Sequence, residues 1–101
     1  MSASEADLIA DYTRVVPDDA GGWRLDFARV SWNGTQPELQ WRAWRRWKRP
    51  PGPERIARAQ RTLLHDPRCF RCCSRCGERC NVGQLAGDLC HACAERRGLR
   101  F

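Results

Sequence analysis

The first apolar pattern in the chain has the period of a helix. Its apolar side chains are Leu8, Ile9 and Tyr12. The pattern predicts a helix over residues 5 to 13, with Ser2 or Ser4 as the N-cap. We expect the helix to end near Val15, because the residue before a proline disfavours helical backbone and Pro17 comes soon after.

An alternating pattern follows a turn-rich connector at residues 17 to 22. Its apolar positions are first Trp23, Leu25 and Phe27 and then, one residue out of phase, Ala28, Val30 and Trp32. Alternation of this kind predicts a half-buried strand, and the change of phase fits either a β-bulge or a change of face. Asn33-Gly34 then supplies the strongest hairpin signal in the chain.

The segment after this signal, residues 38 to 48, fits two structures. As a strand it would pair back on residues 23 to 32. As a helix it would begin at Pro37 and carry a tryptophan every three residues. Those tryptophans are Trp41, Trp44 and Trp47. Both structures remain open, and the content of Arg, Gln and Ala favours the helix slightly.

A proline-rich stretch at residues 49 to 53 is the clearest internal boundary, because it cannot continue regular structure. A second helix is predicted from Pro53 to about His65, where Asp66-Pro67 ends it. Its buried side would carry Ile56, Ala59 and Leu63. We therefore expect three parts, namely a helix and hairpin region at 1 to 50, a connecting helix at 51 to 66 and a finger at 67 to 101.

Seven cysteines occur in a chain of 101 residues, which is short enough to need a staple. Five of them lie in RCFRCCSRCGERC, residues 68 to 80. Six of the seven form three Cys-x-x-Cys pairs, namely Cys69/Cys72, Cys73/Cys76 and Cys90/Cys93. Such a pair lets two thiolates of one turn face a common ion, and two pairs complete a tetrahedral four-cysteine site.

Gly77 decides between the first two pairs. A glycine after the second ligand can adopt the positive φ that turns the chain away from the metal, whereas Cys72 is followed by another cysteine. The predicted ligands are therefore Cys73, Cys76, Cys90 and Cys93, in the pattern C-x2-C-x13-C-x2-C. Zn²⁺ is the expected ion, and four thiolates around it indicate a structural rather than a catalytic metal.

The remaining thiols leave a second metal or an iron–sulfur cluster open as an alternative. Its ligands would be Cys69, Cys72, Cys80 and His91. Buried structural thiols are the more frequent explanation for such cysteines.

The second ligand pair opens a helix-like stretch that Gly98 can end. The stretches CSRCGE and GDLCHACAERRGL resemble the tails of small bacterial and phage-type proteins that end in a treble-clef or zinc-ribbon finger. The resemblance spans residues 68 to 100 and carries over Cys73, Cys76, Gly77, Cys90 and Cys93. It implies a zinc-stabilised finger, and residues 1 to 66 resemble no family known to us. The expected fold is a small α+β domain with an N-terminal helix and β-hairpin, a connecting helix and a treble-clef-like finger.

The charge is unevenly distributed along the chain. The net charge is +6, although residues 1 to 37 carry three Arg against six Asp and Glu. A basic remainder favours a polyanionic partner, nucleic acid first. The predicted contact residues are Arg42, Arg45, Arg46, Trp47 and Arg49 in the segment WRAWRRWKR, and Arg71, Arg75, Arg96 and Arg97 in the finger.

Plainer explanations exist for these residues. The tryptophans could belong to a small core, with arginines lying over their rings. Arg55, Arg58 and Arg61 share one face of the second helix and could follow a phosphate backbone. A solvated helix face is the more frequent explanation for that spacing.

Several function classes are disfavoured. We find no paired carboxylates, phosphate-cradling loop or Ser/His/Asp grouping, so we predict no enzyme and no small-molecule substrate. No secretory signal and no membrane-spanning apolar run is present, which predicts a cytoplasmic protein with reduced thiols. Two functions remain, namely binding of DNA or RNA through the arginines, or a protein-interaction adaptor that docks on a larger complex.

Overall fold

The computed structural model describes residues 4 to 96, without the side chain of Arg96. The elements are α1 at Glu5–Tyr12, β1 at Thr13–Pro17, β2 at Trp23–Asn33, β3 at Gln36–Trp47, α2 at Pro53–Leu64, β4 at Phe70–Cys72, β5 at Arg79–Asn81, a 3₁₀ turn at Val82–Gln84, β6 at Leu85–Ala86, β7 at Leu89–Cys90 and α3 at His91–Arg96. The strands form three antiparallel sheets, so the predicted α+β class is confirmed. Of the helices within the described residues, none has the length and apolar character that a membrane span requires.

The first helix ends earlier than predicted, because a strand begins directly after it. Ser4 caps α1 with a capping box, in which its side chain accepts from the Asp7 N–H and its own N–H donates to the Asp7 carboxylate. Thr13 then starts β1 and pairs with Phe27 of β2. Residues 13 to 17 contain three β-branched side chains, which suit a strand better than a helix end.

The main sheet has the order β1-β2-β3. Gly34 and Thr35 form a two-residue loop between β2 and β3, and φ is positive only at Gly34, as in a type II′ turn. The slight preference for a helix at residues 38 to 48 was therefore wrong. A hairpin that pairs β3 along the whole of β2 outweighs the helix propensity of its residues, and Pro37 is tolerated because β3 is an edge strand.

The β-bulge of this hairpin lies on β3 rather than on β2. Leu25 pairs with Arg45 whereas Asp26 pairs with Ala43, so Trp44 is the extra residue. β2 itself is regular and has buried residues on both faces, Leu25 on one and Ala28 on the other. The apolar positions of β2 change phase because the strand buries side chains first on one face of the sheet and then on the other.

A main core joins α1, the sheet, α2 and β4. Its buried residues are Leu8, Leu25, Phe27, Ala59, Leu63, Leu64, Cys69 and Phe70. The second helix follows its prediction closely, with Pro53 in the first turn and Ala59 and Leu63 on its buried side. Phe70 contacts Tyr12 and Phe27 edge-on, with ring centroids 6.0 and 5.4 Å apart. The strand that leads into the cysteine cluster is therefore anchored in the main core.

A second contact between the sheet and the finger lies at the part of β2 that β1 does not pair with. β1 pairs with β2 only up to Phe27, and the side chain of the fully buried Asn81 takes over beyond that point. Its amide donates to the Ala28 carbonyl at 2.8 Å and accepts from the Val30 N–H at 3.1 Å. Both backbone groups are thereby satisfied by one side chain, as a further strand would satisfy them.

The 3₁₀ turn lies close against the same edge. A Cβ atom at Gly83 would overlap the Val30 carbonyl, so only glycine fits there. The Trp32 indole donates to the Gly83 carbonyl at 2.7 Å. The finger is therefore packed against the end of the hairpin.

Candidate metal centre

The four predicted ligands come together at metal-binding distance. The Sγ atoms of Cys73, Cys76, Cys90 and Cys93 all lie within 4.8 Å of one another. The Sγ atoms of Cys76 and Cys90 are 3.8 Å apart. A tetrahedron with Zn–S bonds of about 2.3 Å has S···S edges of about 3.8 Å. The cluster can therefore hold one metal ion with four thiolate ligands.

The first ligand pair lies in the turn between β4 and β5. The Cys73 N–H donates to the Glu78 carbonyl at 2.8 Å, and the Gly77 N–H donates to the Cys73 carbonyl at 2.9 Å. Gly77 has a φ of 76°, which confirms the positive φ predicted for it. A side chain at this position would strain the backbone of the turn.

The second ligand pair lies where β7 meets α3. Cys90 ends β7 and Cys93 lies in the first turn of α3. The Ser74 N–H donates to the Asp88 carbonyl at 2.9 Å, which ties the first turn to the loop between β6 and β7. This backbone hydrogen bond helps to hold the two ligand pairs together, so their proximity does not depend on the thiols alone.

The protonation of the thiols favours a bound cation. Backbone N–H groups of Cys76 and Cys90 lower the pKa of Cys73 to about 6. Burial and the neighbouring thiols raise the pKa of Cys93 to about 12. One thiolate therefore forms readily at neutral pH, whereas ionisation of Cys93 is opposed first by burial and then by the neighbouring thiols. A divalent cation removes that opposition, and its binding releases the protons.

The alternative second site is not assembled within the described residues, where the four-cysteine cluster is the one group of three or more metal-binding side chains. Cys69 is buried in the main core, where burial raises its pKa to about 11. Cys80 is buried beside the metal centre with its pKa raised to about 12 by burial, and Cys72 is exposed. His91 stacks on Trp32 at a centroid distance of 5.4 Å.

A scan against family models and searches of the curated proteins and of the solved structures found no match to this chain. The resemblance of residues 68 to 100 to treble-clef or zinc-ribbon tails therefore stays a prediction. What can be said of the site follows from its own geometry.

Of the predicted contact arginines, those that the structure describes are exposed, and two of them on β3 line different depressions, Arg45 one and Arg46 another. Arg42, Arg45, Arg49, Arg71 and Arg75 are exposed. Trp47 is half-buried and packs against the main core, as Trp44 does. Arg97 and the side chain of Arg96 lie outside the described residues.

Arg46 belongs to an ion-pair network on the sheet. Its Nε lies 3.2 Å from Asp18, and Asp18 also pairs with Arg24. Arg24 and Arg14 both pair with the buried Asp26, at 2.8 and 3.0 Å. The Arg14 guanidinium in turn covers the ring of Trp41 at 4.3 Å. These contacts explain Arg46 as part of an ion-pair network within the protein, without a nucleic-acid contact.

A second set of arginines lines one open groove of about 630 Å³ between β3, α2 and the segment that follows α2. We call it the arginine groove, and its defining residues are Trp44, Arg45, Arg58, Arg61, Asp66 and Arg68. Sequence reasoning named Arg45 as a contact and treated Arg58 and Arg61 as a helix face. It missed Arg68 altogether, because a single arginine after Asp66-Pro67 carries no pattern.

Asp66 organises the floor of this groove. Its carboxylate accepts three side-chain bonds from Arg68, the shortest at 2.8 Å, and one from the Trp44 indole at 2.9 Å. Hydrogen bonds from Arg68 and then from Trp44 hold the pKa of Asp66 well below its usual range. The Arg45 guanidinium lies over the Trp44 ring at 5.0 Å. One carboxylate thus fixes both the aromatic ring and one arginine.

Proposed function

We propose that this chain is a small non-enzymatic protein in which a Zn²⁺ ion holds a treble-clef-like finger and an arginine-rich surface binds nucleic acid. The zinc assignment is supported by four thiols whose Sγ atoms lie within 4.8 Å of one another, with one pair at the 3.8 Å of a tetrahedral edge. The finger type is supported by its element order, with one ligand pair in a turn between two strands and the other at the start of α3. Reduced thiolate ligands suit the cytoplasm.

A structural rather than a catalytic metal is part of this proposal. Four thiolates fill the coordination positions of a tetrahedral ion and leave none for a substrate or an activated water. Three of the four cysteines are also buried. The chemistry of the site is therefore that of a crosslink between β4–β5 and β7–α3.

The arginine groove is the observation that carries nucleic-acid binding. Its arginines come from three parts of the chain, namely Arg45 from β3, Arg58 and Arg61 from α2 and Arg68 from the segment after α2. Among the described residues, only Arg68 of these four forms an ion pair with a carboxylate. Three uncompensated guanidiniums at one surface attract a polyanion.

The test is direct binding of fluorescently labelled oligonucleotides, as DNA and RNA and as single strands and duplexes. We expect log K to fall linearly with log salt, by about 0.7 per neutralised phosphate on a single strand and about 0.9 on a duplex. Zinc content is measured on the same samples to show that the finger is loaded. Binding that is absent at low salt, or unaffected by salt, would contradict the proposal.

An adaptor that docks on a larger protein is the second candidate. Among residues 4 to 95, Trp32 and Leu39 are the exposed large hydrophobic residues, each 46% exposed. They lie on the same face of the β2–β3 hairpin, because Leu39 pairs with Val30, two residues from Trp32. A pull-down that survives nuclease and high salt, and that Leu39→Ser abolishes, would favour this function over nucleic-acid binding.

A further inference from the structure

We propose that the arginine groove receives a single-stranded segment of nucleic acid, with Arg58 and Arg61 on the phosphodiester groups and the Arg45–Trp44 stack beneath an unpaired base. This inference rests on the proposed function and adds to it the location of the site and the strand state of the ligand. Arg58 and Arg61 therefore have a different role from Arg45, although the sequence alone does not distinguish these arginines.

Charge separates the phosphate-binding arginines from the rest of the groove. Arg68 is neutralised by Asp66, with its Nη2 at 2.8 Å from the carboxylate. Arg58 and Arg61 are exposed, one turn apart on α2, and are not among the ion pairs of residues 4 to 96. Guanidiniums in this position can each bind a phosphate by two hydrogen bonds, and an i,i+3 pair aligns them along one line.

The Arg45–Trp44 stack offers a flat surface on which an unpaired base can stack. The Trp44 ring is held by its indole bond to Asp66, and the Arg45 guanidinium lies over it. A planar guanidinium that covers a ring with one face can stack on a nucleobase with the other. Arg45 is exposed, so a base can reach it. Stacking of this kind needs a base that is not already stacked within a duplex.

The size of the groove suits a short segment of nucleic acid. Its volume of about 630 Å³ lies in the range of pockets that hold small molecules, about 300 to 1,000 Å³. A nucleotide or two can enter such a space. Phosphate charge and base stacking can therefore act on the same bound segment.

The test compares two double variants that lose the same charge. Arg58→Gln/Arg61→Gln removes the groove pair, and Arg29→Gln/Lys48→Gln removes two exposed basic residues that do not line the groove. For a single-stranded oligonucleotide we expect the groove variant to lose roughly tenfold in affinity and about 1.4 in salt slope, and the control to lose roughly threefold or less. Equal losses in the two variants would overturn the groove assignment.

Arg45→Lys tests the stack separately from the charge. Lysine keeps the positive charge but has no planar face, so affinity should fall several-fold while the salt slope stays unchanged. The preference for a single strand over a duplex of the same sequence should fall with it. An unchanged preference, or a wild-type protein that prefers the duplex, would overturn the assignment of strand state.

Failure of the site and failure of the proposed function are distinguishable. If wild-type protein binds oligonucleotides but the groove variant binds equally well, nucleic-acid binding stands and the groove inference falls. If it binds none, both fall as statements about nucleic acid. Inorganic tripolyphosphate, titrated while the Trp44 indole N–H resonance is followed, then tests anion binding alone. A saturable shift that Arg58→Gln/Arg61→Gln removes would support an anion site, and no shift would exclude it.

Discussion

The main core and the finger are both buried clusters, but different chemistry holds each of them. The main core consists of Leu, Phe and Ala side chains with a single cysteine, and half-buried Trp44 and Trp47 extend it. The cluster in the finger has six buried residues, of which four are cysteines. The transfer of apolar surface from water can stabilise the first cluster. The second has too little apolar surface, and we infer that a metal ion stabilises it.

This difference shows why so short a chain can contain both parts. Residues 4 to 70 supply the main core, which two helices, a sheet and the side chain of Phe70 form together. The finger has short strands and one short helix, which are marginal in isolation. Phe70 and Asn81 connect the finger to the core, so metal binding in one part and packing in the other support each other.

The largest effect is expected from a change of a metal ligand. Cys93→Ser should remove the ion from the finger, where structural zinc contributes about 10 to 16 kcal/mol in finger peptides. Hydrogen exchange should show protection lost in β6, β7 and α3 but kept in α2, because α2 packs in the main core. Cys72→Ser is the control, because that thiol is exposed. Equal loss of protection throughout would show that the two clusters do not differ as described.

A smaller effect is expected from the link between the two parts. Asn81→Ala leaves the Ala28 carbonyl and the Val30 N–H buried without their partner. Two such groups cost about 2 to 5 kcal/mol in the free energy of unfolding, measured by denaturant titration of the zinc-loaded protein. Asn33→Ala removes an exposed contact of 3.4 Å and should cost less than about 0.5 kcal/mol. Equal costs would show that the buried link is unimportant.

The pH dependence of metal binding tests the finger alone. Between pH 7 and 8 Cys73 is already a thiolate, because its pKa is lowered to about 6, while Cys93 and Cys76 have raised pKa values and stay protonated. Binding must release at least the protons of these two. Apparent zinc affinity, measured against a competing chelator, should therefore rise by at least about 100-fold per pH unit. A flat profile would exclude these protonation states.

The smallest loss of stability is expected from a change in the N-cap of α1. Ser4→Ala removes the side-chain half of the capping box and should cost about 1 kcal/mol. Zinc affinity should not change, because α1 lies apart from the metal centre in the chain and in the core. Ser31→Ala is the matched control for the substitution itself, because Ser31 lies in β2, in neither a helix cap nor a ligand turn. A change in zinc affinity with Ser4→Ala would indicate tighter coupling than the structure implies.

Local sequence patterns predicted the parts that depend on neighbours in the chain. The helix at Pro53–Leu64 follows from an apolar stripe and a proline in its first turn, and the hairpin follows from Asn33-Gly34. Spacing and Gly77 singled out the four clustered cysteines from seven. The strand at Gln36–Trp47 was one of two structures that the sequence left open, because the propensities of its residues favour a helix slightly and only pairing with β2 decides for the strand.

By itself the sequence determined that a metal-ligand pattern exists, which cysteines belong to it and where the helices begin, because these depend on spacing within a few residues. Tertiary structure decided the rest. Asn81 meets Val30 across 51 positions of the chain, and Arg45 meets Arg58, Arg61 and Arg68 only when β3 packs beside α2. Such contacts depend on how whole elements pack, and no local pattern encodes them.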